Sequence, residues 1–261
     1  MDVIAPAHWA CIDFISDLHL QQTDQATYGA WQRYLRTTQA DALFILGDLF
    51  EVWVGDDVLD DATRFEAQCA ADLQCASQRL PVYVMQGNRD FLMGPALMQA
   101  CGATLLPDPS VLEFGGMRWL LSHGDAWCLE DRNYQQFRAL VRSPSWQQSF
   151  LAQPLAERQR VARDIRNQSE AHKRVDNALY ADVDTASALA ALASSHAQHL
   201  IHGHTHRPAR HDLGGGQQRW VLSDWDLTAA LPRAQVLRLR RQTDSTGTPR
   251  VTMERIPPAL A

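Results

Sequence analysis

Five times along this chain a short apolar run stops abruptly at residues able to bind metal or phosphate: CIDFISDLH (11–19), ALFILGD (42–48), PVYVMQGNRD (81–90), WLLSHGD (119–125) and HLIHGHTH (199–206). Each run reads as a buried strand whose carboxyl end opens into a loop. Helical patterns lie between several of them, at Tyr28–Thr38 and Thr63–Gln78, as crossover connections would require. Alternation of strand and helix predicts a layered α/β domain, and such sheets carry their sites at the carboxyl ends of strands.

Beyond the last motif, WVLSDWD (220–226), AQVLRLRR (234–241) and VTMERI (251–256) read as strands of a second sheet closing the domain. The interval 132–198 has no comparable strand signal. It offers Ser143-Pro144 as a cap and first helical position, then Trp146/Phe150 and Val161/Ile165 at i, i+4 spacing. These features predict a helical insertion over the site.

With 46% hydrophobic residues in 261, the chain can bury a substantial core. Its first residues, MDVIAPAHWACIDF, lack a basic segment followed by an apolar run, and no stretch approaches the roughly 18 apolar residues of a membrane span. The expectation is a cytoplasmic protein that does not cross the membrane. Five cysteines, an odd number without CxxC spacing, fit reduced thiols. A net charge of −6 argues against a dedicated nucleic-acid binder. The charge is uneven: residues 132–174 hold nine Lys and Arg against three acids, a segment of +6 on a remainder of −12. Such a segment suits an anionic substrate or membrane surface, although a solvated helical face explains it equally well.

The polar residues at the strand ends are Asp17, His19, Asp48, Asn88, His123, His204 and His206. Singly, each has an ordinary explanation, since a strand-end Asp often caps a turn and a lone His is usually a surface or core residue. His204 and His206 are less easily dismissed, because alternate residues after a strand point to one side. Together the seven supply enough oxygen and nitrogen donors for two metal ions if one carboxylate is shared. Two divalent ions ~3.5–4 Å apart can clamp the attacking and leaving oxygens of an in-line displacement at phosphorus.

The order DxH, GD, GN, HGD, GHTH resembles the calcineurin-like metallophosphoesterase superfamily from Asp17 to His206. Within it, the strings FISDLHL, ILGDLFEVWVGDD, GNRDF, SHGDAWCLED and HGHTHRPA are similar to the UDP-2,3-diacylglucosamine hydrolases, the pyrophosphatases of bacterial lipid A synthesis. The resemblance implies one domain over residues 1–261, a four-layer α/β sandwich with a helical lid at about 132–198. It implies that Asp17, His19, Asp48 and His206 hold one ion and Asp48, Asn88, His123 and His204 the other, with Asp48 bridging. It also implies manganese, which a donor set free of cysteine suits; iron, zinc and magnesium stay open. The reaction implied is attack of a metal-activated water on the α-phosphorus of UDP-2,3-diacylglucosamine, giving UMP and 2,3-diacylglucosamine 1-phosphate. The partners implied are a lipid-linked sugar nucleotide and the cytoplasmic face of the inner membrane, peripherally, with no nucleic acid.

Asp48, Asn88, Arg89 and His123 are the residues expected to carry the chemistry. Many superfamily members have a histidine where this chain has Arg89, and that histidine commonly acts as a general acid. Arginine stays charged and cannot readily give up a proton, so Arg89 is expected to grip phosphate oxygens in the transition state. Asp125 and Asp90 are expected to orient ligands from behind.

In the resembling family a lid pattern SxxxNxxK and an Asp eight residues after the HGD histidine contact the substrate, alongside Asn88, Arg89 and His204. Asp131 and Ser169 match, whereas Lys173 replaces the Asn and Asp176 stands where the Lys would be. Arg166 or Arg174 can supply the missing charge. Trp146, Phe150, Leu151, Leu155, Val161 and Ile165 fit either helix packing or an acyl-chain groove. Another phosphodiesterase or phosphatase on this fold is the rival reading, and a non-catalytic scaffold the more remote one.

Overall fold

The computed structural model describes residues 1–175, 181–243 and 249–260, apart from the side chains of 167–175, 243, 249 and 260. Among the described residues, twelve strands and seven α-helices run in the order β1 (Asp2–Ile4), β2 (Cys11–Ile15), α1 (Gln25–Thr37), β3 (Ala42–Leu46), α2 (Phe65–Ser77), β4 (Val82–Met85), α3 (Pro95–Cys101), β5 (Thr104–Leu106), β6 (Ser110–Phe114) and β7 (Met117–Ser122). There follow α4 (Arg132–Val141), α5 (Pro144–Leu151), α6 (Leu155–Val175), α7 (Thr185–Ser194), β8 (His199–His202), β9 (Ala209–Gly214), β10 (Gln217–Val221), β11 (Val236–Thr243) and β12 (Pro249–Ile256).

The strands make two six-stranded sheets, β12-β11-β2-β3-β4-β5 and β1-β6-β7-β8-β10-β9. β2 and β3 are buried along their whole length and apolar apart from Asp13, as strands of a sheet covered on both faces should be. Ile12, Phe14, Ala42, Phe44 and Leu46 face Leu121, Ile201 and Leu112 across the space between the sheets. α1, α2 and α3 cover the outer face of the first sheet through Trp31, Tyr34, Leu73 and Leu97. α7 covers the second with Ala188 and Leu192 against Val111, Leu120 and Leu200. Helix, sheet, sheet, helix is the four-layer sandwich.

The expectation that all three C-terminal segments close a second sheet is corrected: the first segment does, and the other two join the first sheet. β10 pairs with β8, while β11 pairs antiparallel with β2 and brings β12 with it. The reason is a buried ion pair: Arg238 of β11 sits opposite Asp13 of β2, and its Nε and Nη2 donate to the two carboxylate oxygens at 2.7 and 2.8 Å. Tyr34 and Thr38 hydroxyls donate to the same carboxylate, so the buried charge is fully satisfied and the register of β11 is set.

In the interval 132–198, α4 to α6 lie above the strand ends, whereas α7 belongs to the layer on the second sheet. Local chemistry starts three of the four: Asp131 accepts from Tyr134 N at 2.9 Å, Ser143 precedes Pro144 and accepts from Trp146 N at 3.4 Å, and Asp184 accepts from Ser187 N at 2.7 Å. No helix among the described residues is long and apolar enough to cross a membrane.

Candidate metal centre

The carboxyl ends of β2, β3, β4, β7 and β8 converge, and they bring all seven expected donors into one cleft. Five of the seven, Asp17, His19, Asp48, His204 and His206, have left-handed backbone, with φ of 53, 48, 51, 69 and 52°. Each such residue costs on the order of 1–3 kcal/mol and persists only where its surroundings enforce it, so this concentration marks a site where geometry outranks stability. The motif glycines exist for the same reason. A Cβ on Gly87 would sit 2.1 Å from Asp48 Oδ1, and one on Gly47 2.4 Å from His123 Nδ1.

Asp48 is almost wholly buried. Its Oδ1 accepts from Arg89 N at 2.8 Å, and its Oδ2 stands 3.8 Å from His19 Nε2 and equally 3.8 Å from His123 Nε2. Asp17 accepts from His204 N at 3.1 and 3.0 Å and from Ser16 Oγ at 2.5 Å, and its Oδ1 lies 3.3 Å from His206 Nε2. His19 and His206 face each other with their Nε2 atoms 3.3 Å apart. His123 Nδ1 lies 3.0 Å from the Leu46 carbonyl, to which it donates, leaving Nε2 to face the cleft 3.0 Å from Asn88 Oδ1. The same Asn88 oxygen is 2.8 Å from His204 Nδ1.

Asp17, His19 and His206 form one group able to hold a cation, and Asp17, Asp48 and His123 form another. The two groupings overlap at Asp17, while the equal reach of Asp48 Oδ2 to histidines of both groups supports Asp48 as the shared ligand. Imidazole nitrogens packed against one another and against carboxylates make a donor set that fits divalent ions better than it fits itself.

The electrostatics agree. Burial opposes charge on Asp17, yet the surrounding His206, His123 and His19 hold its carboxyl far below the usual range. Burial also works against a charged His123, but Asp48, Asp17 and Asp125 outweigh it and push its pKa up to about 9. His204 goes the other way, to about 3, through burial and the neighbouring His123. One carboxyl is held ionised and one imidazole neutral, as ligands must be.

Neither Asp125 nor Asp90 hydrogen-bonds any of the seven donor side chains directly. Asp125 accepts from Tyr134 OH at 2.5 Å and from Arg138 Nε at 2.8 Å, and despite burial the charges of His123 and Arg138 keep it ionised. Asp90 touches no donor side chain. It accepts from Gly87 N at 2.7 Å and Phe50 N at 3.2 Å, fixing the loop that carries Asn88 and Arg89, and burial with Asp48 nearby pushes its pKa up to about 7.

Sequence reasoning missed Glu51. Its Oε2 lies 3.0 Å from His19 Nδ1, and its Oε1 lies 3.4 Å from Arg89 and 3.1 Å from Arg166. Its place three residues after Asp48 was the available signal. Tyr134, whose ring stacks on His204 at 5.9 Å, gave none. Asp224, read as part of a strand, instead lies beyond β10, 3.6 Å from His206 Nδ1, and is gripped by Arg233.

Of the expected substrate contacts, Asn88, Arg89 and His204 line the cleft. Asp131 is exposed and caps α4. Ser169 and Lys173 belong to α6 by backbone, and their side chains, like the whole of Asp176 and the side chain of Arg174, lie outside the described residues. The helices above the cleft are fastened by arginines. Arg142 donates to Gly87 O at 2.9 Å, and Arg158, 2% exposed, donates to Val54 O and to Asp57 at 2.9 Å. Phe150 is buried in the core, and Trp146 stacks on it at 4.6 Å, so these two pack in the ordinary way, whereas Leu140 and Leu151 stay 56% and 42% exposed.

The family model described as calcineurin-like phosphoesterase matches residues 12–208. Proteins named UDP-2,3-diacylglucosamine hydrolase are similar over most of their length: one from Chromobacterium violaceum is 49% identical, covering 82% of this chain and 90% of that protein. Another from Bordetella parapertussis is 46% identical over 83% and 86%, and one from Ralstonia nicotianae 46% over 87% and 88%. A solved structure of a Vps29 single mutant from Entamoeba histolytica aligns with a TM-score of 0.45 at 13% identity, over 94% of this chain and 98% of that one. The chain belongs to the calcineurin-like phosphoesterase family.

Proposed function

We propose that this protein hydrolyses the pyrophosphate bond of UDP-2,3-diacylglucosamine, giving UMP and 2,3-diacylglucosamine 1-phosphate, the reaction that serves lipid A biosynthesis. The observation that carries the proposal is that Asp48 lies equally 3.8 Å from His19 and His123 among the other strand-end donors, beside an arginine, in a chain 46–49% identical to proteins named for that substrate. Asp17, His19, Asp48 and His206 would hold one divalent ion and Asp48, Asn88, His123 and His204 the other, with manganese the preferred metal. When bound, the ions supply a water activated for attack on the α-phosphorus and neutralise charge on the phosphoryl oxygens.

The chain's own residues do the rest. His123, donating through Nδ1 to Leu46 O, keeps its Nε2 turned toward the cleft. Arg89, held in place by the Glu51 carboxylate, supplies a fixed cation for charge that develops on the phosphate. A leaving group that is itself a phosphate needs no proton, which makes an arginine sufficient where relatives in the superfamily use an acid. Asp131, Ser169, Lys173 and Asp176 are proposed to meet the sugar and lipid. One domain with a cover of α4 to α6 suffices for the reaction. Exposed Leu140 and Leu151, within the 132–174 segment of net charge +6, suit peripheral contact with the cytoplasmic face of an anionic inner membrane.

The deciding assay gives purified protein with manganese four substrates in parallel: UDP-2,3-diacylglucosamine, UDP-glucosamine, cyclic AMP and a phosphopeptide. Hydrolysis in ¹⁸O-water should label UMP and leave the lipid phosphate unlabelled. Preference for cyclic AMP or the phosphopeptide, or label in the lipid phosphate, overturns the proposal.

A further inference from the structure

The cleft continues past Glu51 into a second cavity, of about 570 Å³, that the hydrolytic residues do not account for. Its walls are the loop after β2, the loop after β3, the segment leading into α2, and α6. Glu51 is the partition between the two spaces: on one side it adjoins His19, on the other it meets Arg166. A group in this cavity would therefore lie one side chain away from the reacting phosphate.

The lining is of a particular kind. Gln21, Gln22, Thr63 and Gln159 present carboxamides and a hydroxyl, each able both to donate and to accept, and Arg64 and Arg166 donate only, beside three carboxylates, one of which, Asp61, accepts from the Thr63 hydroxyl at 2.6 Å, and four apolar side chains. An alkyl chain laid here would strip water from these groups and return no hydrogen bond, so the cavity is badly suited to the acyl half of the substrate. A pyrimidine ring presents carbonyl, imide N–H and carbonyl along one edge, and its ribose adds two hydroxyls. Amide side chains complement such an edge, and the volume falls in the ~300–1,000 Å³ range of small-molecule sites.

We propose that this cavity takes the uridine of the substrate, an assignment that rests on the UDP-lipid being what the enzyme hydrolyses. Thr63, from the segment leading into α2, and Gln159, from α6, are specificity residues for the nucleoside, and the diacylated sugar lies outside the cavity. Product UMP therefore binds through Thr63 and Gln159, and the lipid product does not.

The test uses full-length, manganese-loaded protein and the double variant Thr63→Val, Gln159→Leu, both positions being on the surface where apolar replacements leave the core intact. UMP binding is measured by calorimetry, and UMP and 2,3-diacylglucosamine 1-phosphate are each tested as product inhibitors. The expected result is UMP binding weakened about tenfold or more, roughly one or two hydrogen bonds, with inhibition by the lipid product unchanged. Wild-type protein should also bind UMP in preference to AMP. Unchanged UMP affinity in the double variant, equal weakening of both products, or no preference over AMP overturns the assignment. If wild-type protein hydrolyses the UDP-lipid and the variant behaves like it, the cavity assignment alone fails. If wild type leaves the UDP-lipid intact, the substrate proposal fails and takes this one with it.

Discussion

The strand ends and the helices above them hold their residues by opposite means. Asp17, Asp48 and His123 are 0, 1 and 0% exposed and ride on strands packed on both faces, with left-handed backbone at five of the seven donors. α4 to α6 are instead fastened at a few points by arginines: Arg138 to Asp125, Arg142 to the Gly87 carbonyl, Arg158 to Asp57. They carry exposed leucines and exposed ion pairs, such as Arg160 with Glu157 and Asp164. Geometry that must be accurate to fractions of an ångström comes from the sandwich; the surface proposed to select the substrate is attached to it at a few points. Substitutions at the strand ends should therefore abolish the reaction, and substitutions in the cover should only redirect it.

The largest effect belongs to Asp48→Asn. It removes a negative charge from the point equidistant between His19 and His123, and kcat should fall about 10³-fold or more while the fold survives. Turnover and metal content measured on the same preparation decide the matter: near-normal turnover with two ions bound would show that Asp48 is not the shared ligand. Arg89→Ala comes next, at about 100-fold in kcat/KM with metals retained, because a transition-state donor is lost and no ligand is. Arg89→His sharpens the point, since full activity with histidine would move this position into proton transfer.

Protons compete with metal at the strand ends and not in the cover. In the metal-free chain His123, with its pKa pushed up to about 9, keeps a proton on the nitrogen that faces the cleft. Loading an ion must expel that proton, so apparent affinity should rise about tenfold per pH unit from pH 7 and level off above about 9. Calorimetry in buffers of different ionisation enthalpy reads the released proton directly. A flat affinity across this window would remove His123 from the ligand set.

Much of this division was written in the sequence, and the reason is locality. A buried strand and the donor at its end occupy consecutive residues, so CIDFISDLH or HLIHGHTH shows element and chemistry together. What escaped was long-range. Arg238 finds Asp13 across 225 positions and thereby attaches β11 to the first sheet, a pairing no local pattern announces. Tyr134 supports His204 only because α4 folds back over β8, and Asp224 reaches His206 from a stretch that reads as strand. α7 has the apolar, alanine-rich composition of any packed helix, and nothing in its residues says that it covers the second sheet while α4 to α6 cover the site. Trp146 and Phe150 were equally compatible with core and with lipid groove until Phe150 proved buried.

Unfastening the cover should have a smaller and more selective effect than any strand-end change. Arg158→Met keeps the length of the side chain and removes its donors to Val54 O and Asp57. Efficiency on the diacylated substrate should fall about tenfold, and thermal stability by a few degrees, since a buried carbonyl loses its partner. Metal affinity should not move. A parallel loss of metal would mean that cover and strand ends are one cooperative unit.

The smallest effect, and the one that tests the cover alone, is expected of Leu140→Ser combined with Leu151→Ser. Both side chains are about half exposed, so serine leaves no cavity in the core, unlike serine at Phe150, where a fall in activity would report unfolding as readily as lost lipid contact. If these leucines meet acyl chains or membrane, each forfeits part of the ~1.5–3 kcal/mol available for burying such a side chain. Because only part of each surface is covered, the two together should raise KM for diacylated substrate about tenfold at most. kcat and the rate on UDP-glucosamine should stay as in the wild type, since neither residue touches a strand-end donor. Sedimentation with anionic vesicles separates the two ways of losing KM: weaker vesicle binding places the leucines at the membrane, and unchanged vesicle binding places them on the substrate's chains. An unchanged KM on the acylated substrate would mean that the exposed face of the cover takes no part in selection, and the contrast between a fixed centre and a selective cover would have to be redrawn around residues nearer the cleft.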